Sequence, residues 1–420
     1  MIWYICILNN NKMDLLLHTL DNGIRLVHQS IPGLVAHCGI IINTGSRDEN
    51  DSEHGMAHFI EHMLFKGTRK RKAYHILSRL EDVGGELNAY TTKEETAVHA
   101  SFLKDDYERA IELISDITFN SVFPKKEIEK EKDVVIDEIK SYFDTPAELI
   151  FDDFEELIFA GQPIGRNILG TPESVKSFSR KMISDFISEN FNTQQIVFCS
   201  VGNISDEKIL RYFNKYFSSV VTKTRKRRTT RNFIYKPATL TKNMDTFQNH
   251  CIIGNLAYDL KDERKMAMHL LNNILGGQGM NSRLNLSLRE KNGFAYDVES
   301  SYNPYSDTGV FSIYFGTDNR YLGKSTSTVM TELKKLRNTK LGTIQLSKAK
   351  NQIKGYLARG YENHENLMLS LGKNLLTFDK IDTIEDICAK IDKITASELL
   401  EVANDVFEPS RLSTLIFKQK

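Results

Sequence analysis

The chain has 420 residues, of which 40% are hydrophobic and 26% are charged, and its 55 Lys and Arg residues balance 55 Asp and Glu residues. This composition is typical of a soluble globular protein, and the balanced charge argues against a nucleic-acid-binding protein. A chain of this length exceeds one ordinary hydrophobic core, so we expect two domains.

The beginning of the chain and its cysteines bear on the compartment. The apolar run from Ile2 to Leu8 is short for a signal peptide and lacks a basic region, and Met13 is an alternative start because the patterned fold begins near residue 15. No segment approaches the ~20 apolar residues of a membrane span. The five cysteines are widely spaced and indicate neither a disulfide framework nor a cysteine zinc site. We expect a cytoplasmic protein, with the periplasm as the alternative and no membrane partner.

After a predicted strand at residues 34–43, the chain carries a metal-binding motif on a predicted helix. His58, Glu61 and His62 form the pattern H-x-x-E-H, in which the two imidazoles share one helix face. Both rings can then reach one Zn²⁺, and Glu61 projects near the metal, where a carboxylate can take a proton from water. The alternative is a core helix with two histidines, but that helix would bury Glu61 without a partner.

The predicted helix has its own start and stop signals. Ser52 is the expected N-cap, the acidic Glu53 suits the first turn, and Gly67 is placed to end the helix. Its apolar stripe consists of Met56, Phe59, Ile60, Met63 and Leu64.

A hairpin and a long helix follow. Gly84 and Gly85 precede two predicted strands at 86–92 and 95–103. Residues 124–143 predict a helix that begins at Pro124.

This second helix offers candidates for a third metal ligand, since a catalytic zinc usually has three protein ligands and one open position. Glu131 and Glu138 are seven residues apart and share one helix face. We expect one of them to bind the metal and the other to orient a ligand or a water molecule, and the spacing does not choose between them.

A basic segment divides the chain. Residues 222–231 (TKTRKRRTTR) lack apolar periodicity and predict an exposed linker. We therefore expect a first domain at 1–220, a linker at 221–234 and a second domain at 235–420. An anion-binding surface or a nuclear address is the alternative interpretation of the basic cluster.

The two halves resemble each other. The matching pairs are AHCGII (36–41) with NHCIIG (249–254), and HFIEHMLFKG (58–67) with HLLNNILGG (269–277). In this comparison Glu61 and His62 fall on Asn272 and Asn273, so the second copy keeps the helix without the metal ligands.

The second half also contains a glycine-rich segment at 276–284, whose spacing fits neither common phosphate-binding pattern. Residues 310–315 predict a strand, and the strand-like segments 198–202 and 414–417 are expected to close the sheet of each half.

These motifs resemble those of the pitrilysin family of zinc peptidases, which includes the mitochondrial processing peptidases and insulin-degrading enzyme. The resemblance covers nearly the whole chain and rests on GMAHFIEHMLFKGT (55–68), GGELNAYTT (84–92), Glu131 and Glu138. It implies an α+β protein of two similar domains, each a mostly antiparallel sheet packed with helices, which form a clamshell around a peptide chamber. Only the first domain is then expected to hold zinc.

The resemblance also implies the metal site. Glu138 stands at the spacing from His62 at which the family places its third ligand. His58, His62 and Glu138 are therefore expected to bind one Zn²⁺ per chain, with Glu61 as general base and Glu131 supporting the site.

Other roles come from the same resemblance. Arg289 and Tyr296 match an Arg and a Tyr that reach from the second half into the zinc site, where both can stabilise a negative oxygen. Asn88 and Ala89 match an edge strand that accepts the peptide substrate as an added strand.

The expected function is that of a zinc metalloendopeptidase that cleaves unfolded peptides, as a homodimer or as a heterodimer with a related subunit. Three alternatives remain at this point. The chain could be a non-catalytic subunit of the same fold that binds peptides or supports a catalytic partner. It could be a zinc hydrolase of small molecules, or a nucleic-acid-binding module built on the basic linker.

Overall fold

The structure is a computed structural model that describes residues 15–224 and 233–420. The apolar run at Ile2, the alternative start at Met13 and most of the basic linker lie outside these residues. The domain boundaries placed around that linker stay a prediction.

Two β-sheets organise the described residues, one in each half of the chain. The strands of the first sheet are β1 (Leu15–Thr19), β2 (Arg25–Ser30), β3 (Val35–Ile42), β4 (Glu86–Thr91), β5 (Thr96–Leu103) and β6 (Ile196–Gly202). The strands of the second sheet are β7 (Thr239–Met244), β8 (Asn249–Ala257), β9 (Ala295–Pro304), β10 (Gly309–Thr317) and β11 (Ser413–Gln419).

Helices cover both sheets. Those of the first half are α1 (Met56–Leu64), α2 (Ala73–Glu81), α3 (Tyr107–Phe119), α4 (Lys125–Phe143), α5 (Pro146–Ile158), α6 (Pro172–Ser177), α7 (Arg180–Asn190) and α8 (Asp206–Phe217). Those of the second half are α9 (Lys265–Gly276), α10 (Leu322–Asn338), α11 (Thr343–Tyr361), α12 (His364–Phe378), α13 (Ile384–Lys393) and α14 (Ala396–Val406). Within the described ranges, no helix has both the length and the apolar character needed to cross a bilayer.

Apart from the additional edge strand β1 in the first sheet, the two sheets share one topology. The first has the order β1-β2-β6-β3-β5-β4 and the second the order β7-β11-β8-β10-β9. Neighbouring strands are antiparallel except for β2 with β6 and β7 with β11, which are parallel. Helix α1 connects β3 to β4, and α9 connects β8 to β9 at the equivalent place. This arrangement confirms the predicted α+β fold of two similar sheet-and-helix units, and it agrees with the internal repeat.

Strand β3, the hairpin of β4 and β5, and strand β10 confirm the predicted strands. The expectation that residues 198–202 and 414–417 close their sheets is wrong, because β6 lies between β2 and β3, and β11 lies between β7 and β8. All seven residues of β6 are buried, as is typical of an interior strand with both faces covered.

Each half contributes a helix to the other half's sheet. Helix α5 packs Ile150 and Phe154 against the second sheet, in one buried cluster with Ile252 and Leu415. Helix α12 packs Met368 against the first sheet, in a cluster that includes residues of β3 and β6. The halves are therefore joined by two apolar interfaces as well as by the chain itself.

Candidate metal centre

Three metal-ligating side chains converge between α1 and α4. His58 Nε2 lies 3.6 Å from Glu138 Oε1, and His62 Nε2 lies 3.4 Å from Glu138 Oε2. One potential ligand atom from each of the three residues lies within 4.8 Å of the others. Among the described residues, no other group of three or more His, Cys, Asp and Glu side chains converges this closely. Two imidazoles and one carboxylate match the ligand set of a catalytic zinc with an open position.

Glu131 orients the second histidine. His62 Nδ1 donates a hydrogen bond to Glu131 Oε1 at 2.9 Å, which leaves the Nε2 lone pair directed at the site. Lys66 Nζ contacts the other carboxylate oxygen of Glu131 at 2.7 Å. Burial opposes ionisation of Glu131, but the hydrogen bonds from His62 and Lys66 outweigh it and lower the pKa of Glu131. Glu131 is therefore a buried anion held by two partners.

The pKa values of the two histidines shift in opposite directions. Burial, together with the nearby His62, lowers the pKa of His58 to about 3, so His58 is neutral and able to ligate at physiological pH. Burial also disfavours protonation of His62. The hydrogen bond to Glu131 and the charges of Glu138 and Glu61 outweigh that effect and raise the pKa of His62. Protonation of His62 therefore competes with metal binding, and the metal affinity is expected to fall as the pH is lowered.

Glu61 faces an open cavity beside this group. The cavity has a volume of about 590 Å³, and its lining includes His58, Glu61, Glu138 and residues 89–91 of β4. Burial raises the pKa of Glu61, which makes its carboxylate a stronger base than an exposed one. The predicted general base, two of the predicted ligands and the end of an edge strand therefore share one cavity.

Helix α1 begins later than predicted, and Ser52 is not its N-cap. Ser52 lies in a short 3-10 helix at Asp51–Glu53 that Asn50 caps, and α1 begins after Gly55, whose φ of +93° is in the left-handed region. A Cβ at this glycine would lie 2.8 Å from Gly170 Cα, so only glycine fits the entry turn. Helix α1 ends at Leu64, three residues before Gly67.

A carboxylate that the sequence patterns did not single out contacts the start of α1. Glu49 accepts hydrogen bonds from the backbone N–H groups of Gly55 and Ala57, both at 2.9 Å. The only sequence signal was an acidic residue shortly before the motif helix, and nothing in the pattern indicated that this residue folds back onto the helix.

Strand β4 has a free edge, because it is the last strand of the first sheet. Ala89 is half-buried and lines the cavity beside Glu61. Asn88 is exposed, and its side-chain amide donates to Glu86. The structure therefore places the two predicted substrate-binding residues on an available edge, with only Ala89 lining the cavity.

Arg289 and Tyr296 lie together elsewhere. The Arg289 guanidinium is 4.7 Å from the centre of the Tyr296 ring, and Tyr296 is 82% exposed. Both line a cavity of about 1170 Å³ in the second half, with the glycine-rich residues 276–279 and strand β9. Within the described part of the chain, neither residue lines the cavity that holds His58 and Glu61. The structure thus groups the three predicted ligands with Glu61 and Glu131 and leaves the Arg–Tyr pair in a separate cavity.

The chain is similar to known proteins over most of its length. The family described as "Insulinase (Peptidase family M16)" matches residues 25–172, and the family described as "Peptidase M16 inactive domain" matches residues 177–353. The chain is 32% identical over 404 residues to "Uncharacterized zinc protease YmxG" of Bacillus subtilis, which covers 95% of this chain and 97% of that protein. It is also 32% identical over 400 residues to an "Uncharacterized zinc protease" of Rickettsia bellii, covering 94% of this chain and 96% of the relative.

The fold is similar to that of solved structures. A crystal structure of a protease from Helicobacter pylori superimposes with a TM-score of 0.90 at 21% identity, covering 96% of this chain and 99% of that one. A structure described as a peptidase M16 inactive domain from Pseudomonas fluorescens has a TM-score of 0.89 at 18% identity, covering 97% of this chain and 98% of that one. These two likenesses bear on the fold alone.

Proposed function

The chain belongs to peptidase family M16, the insulinase or pitrilysin family, and we propose that it is a zinc-dependent endopeptidase that hydrolyses peptide bonds in unfolded segments. The observation that carries the proposal is the convergence of His58, His62 and Glu138 beside the half-buried Glu61, whose pKa burial raises. The family and the names of its zinc-protease relatives support the same class of activity.

The residues present fit one Zn²⁺ per chain. The hydrogen bond from His62 Nδ1 to Glu131 fixes the tautomer that presents Nε2, and the low pKa of His58 keeps that ring neutral. Glu138 supplies a carboxylate between the two imidazoles. Imidazole and carboxylate together suit zinc, while Mn²⁺ and Co²⁺ are accepted by similar ligands.

In the proposed mechanism, His58, His62 and Glu138 would hold a zinc ion, which would supply a Lewis acid to polarise the peptide carbonyl and acidify water. Glu61 accepts the proton from the attacking water and delivers it to the leaving amine. Glu131 keeps the His62 ring oriented, and Lys66 keeps Glu131 in place. Arg289 and Tyr296 are proposed to donate to the negative oxygen of the tetrahedral intermediate. Because they line a separate cavity, that role requires the halves to move relative to each other or the substrate to bridge both cavities.

The substrate is proposed to bind as an added strand along the free edge of β4, next to Asn88 and Ala89. Main-chain hydrogen bonds at a sheet edge do not depend on side chains, so a peptidase of this kind can hold varied sequences. The position of Ala89 in the cavity of Glu61 supports this route, because it leads a bound peptide toward the base.

The proposed assembly is a homodimer or a heterodimer with a related subunit. The second candidate function is a non-catalytic subunit of the same fold that binds peptides or supports a catalytic partner. The observation that Arg289 and Tyr296 line a different cavity from His58 and Glu61 favours this candidate, since a chain without oxyanion donors at its metal site would depend on a partner.

The test is cleavage of a mixed set of unfolded quenched-fluorescence peptides by the purified chain. We expect cleavage that stops with a chelator and returns with zinc. Glu61→Gln should lower the rate by about 10²–10⁴-fold at unchanged zinc content, because it removes only the base. Glu129→Gln, which changes an exposed carboxylate on α4, should cleave like the unmodified protein. Zinc binding without any cleavage would instead support the non-catalytic candidate.

A further inference from the structure

Glu49 is a buried carboxylate that the proposed mechanism does not use. It is 2% exposed, and the charge of Arg166, whose guanidinium pairs with Asp51, affects it less than two backbone hydrogen bonds do. Its two oxygens accept from the backbone: Oε2 from Gly55 and Oε1 from Ala57, both at 2.9 Å. A carboxylate withdrawn from water in this way requires compensation, and the start of α1 provides it.

Helix α1 needs a cap from outside its own sequence. The first N–H groups of a helix have no partner within the helix, and a Ser, Thr, Asp or Asn at the N-cap normally accepts from one of them. Here the N-cap is Gly55, which has no side chain, and the segment is too buried for water to replace it. Glu49 supplies the missing acceptors from six and eight residues upstream.

The location of these bonds connects Glu49 to the metal ligands. Ala57 directly precedes His58, and His62 follows one turn later on the same short helix. On the other side, Gly55 packs against Gly170 so closely that a Cβ on either residue would clash with the other's backbone. The start of α1 is thereby held between the Glu49 carboxylate and a glycine turn. Productive metal geometry requires ligands placed to within about 0.5 Å, so a fixed helix start matters to the site.

We propose that Glu49 is a positioning residue for the metal centre, which sets the direction of His58 and His62 by fixing the first turn of α1. This inference rests on the proposed function, because it takes the two histidines to be ligands. Burial raises the pKa of Glu49 and the two N–H bonds act in the opposite direction. Replacement by Gln puts an NH₂ group, which cannot accept, in place of one oxygen.

The chain offers a matched control in Glu53. This glutamate is also buried, lies four residues away in the segment before α1, and accepts a hydrogen bond from the Asn50 backbone, while the N–H groups of Gly55 and Ala57 donate to Glu49. Glu53→Gln therefore removes a similar buried carboxylate and leaves the cap of α1 intact.

The experiment measures metal binding and not cleavage. Zinc affinity is determined by competition with a chelating dye, and the visible spectrum of the Co²⁺-substituted protein reports ligand geometry. We expect Glu49→Gln to bind zinc about tenfold more weakly and to shift the Co²⁺ bands, because replacing a residue that orients a metal ligand typically weakens metal binding by about this factor or more. Glu53→Gln should match the unmodified protein in both measurements, even if its thermal unfolding changes.

If Glu49→Gln does not fold, Glu49→Asp serves in its place, because a shorter carboxylate keeps the charge and cannot reach both N–H groups. Unchanged affinity and an unchanged Co²⁺ spectrum in a folded Glu49 variant would overturn the inference and leave the peptidase proposal standing. An equal loss in Glu53→Gln would overturn it too, because the effect would then be general to the loop. Normal zinc binding without peptide cleavage would count against the peptidase proposal alone.

Discussion

The Arg47 guanidinium donates to Asp307 Oδ2 at 2.6 Å, and this contact joins the two halves of the chain. Arg47 also donates to Glu94 at 2.6 Å, and Glu94 in turn accepts from the Ser306 backbone N–H at 2.9 Å. Glu94 lies in the turn between β4 and β5, and residues 306 and 307 lie in the turn between β9 and β10. The hairpins that contain the edge strands β4 and β9 are therefore connected at their tips.

This contact predicts energetic coupling between Arg47 and Asp307. Both side chains are largely buried, so their interaction is less screened than that of a surface pair. In a double-mutant cycle of Arg47→Gln and Asp307→Asn, we expect the effects on the free energy of unfolding to be non-additive by about 1–2 kcal/mol, as measured by urea unfolding. Additive effects would show that the two residues act independently. Zinc content should stay unchanged in all three variants, because neither residue contacts the ligands.

Replacing Arg289 tests whether the residues of the separate cavity take part in the reaction. If this side chain reaches the reacting carbonyl during turnover, Arg289→Ala should lower kcat by about 10²–10³-fold while zinc content stays near that of the unmodified protein. The matched control is Arg320→Ala, since Arg320 also stacks on a tyrosine, Tyr321, and does not line the cavity of Arg289. Loss of zinc in Arg289→Ala would contradict an oxyanion role, and unchanged kcat would place Arg289 outside the reaction.

The sequence was most informative where structure depends on neighbours along the chain. The spacing of His58, Glu61 and His62 places them on one helix face whatever the rest of the fold does, and helix α4 follows from its own periodicity and from Pro124. Choosing Glu138 over Glu131 required the family resemblance, because both glutamates satisfy the same helical spacing. The structure shows the physical difference: Glu131 is engaged by Lys66 and His62 Nδ1, while Glu138 faces both Nε2 atoms.

Long-range contacts escaped sequence analysis. The exchange of α5 and α12 between halves depends on which sheet face each apolar stripe meets, and a stripe does not identify its partner. The interior positions of β6 and β11 follow from parallel pairing with β2 and β7. Each of these pairs is separated along the sequence by most of the length of its half of the chain. Glu49 was missed for a similar reason, since its partners are backbone groups that carry no residue-specific signal.

The cavity beside Glu61 predicts a substrate preference. Its lining also includes the carboxylates of Glu148 and Asp152. Asp152 is already engaged by Tyr142, while Glu148 is exposed at the cavity. We expect peptides with Lys or Arg near the cleaved bond to have higher kcat/KM than matched peptides with Gln. Glu148→Gln should reduce that preference a few-fold, because a partly solvated ion pair contributes about 1 kcal/mol or less. The exposed Glu173→Gln on α6 is the control, and a preference that is equal in both variants would exclude Glu148 as its source.

His269 predicts how stability depends on pH. This histidine of α9 occupies the place in the second half that His58 occupies in the first, and its ring centre lies 4.7 Å from that of Tyr302. Burial, with a smaller effect of Lys265, lowers the pKa of His269 to about 4. A histidine whose pKa is lower in the folded state stabilises the fold above its unfolded pKa, near 6.5, and this contribution is lost as pH falls toward about 4.

We therefore expect His269 to lower the free energy of unfolding of the unmodified chain by about 2 kcal/mol between pH 7.5 and 5.0. The reason is that His269 takes up a proton in the unfolded state over this range but not in the folded state. His269→Gln removes this titration. Between the same two pH values, the drop in its free energy of unfolding, measured with urea, should be about 2 kcal/mol smaller than the drop in the unmodified protein. His75→Gln, at an exposed histidine on α2, should keep the full pH dependence. If His269→Gln also kept it, the acid sensitivity would have to come from the other buried histidines, such as His28 and His250, whose pKa values burial also lowers.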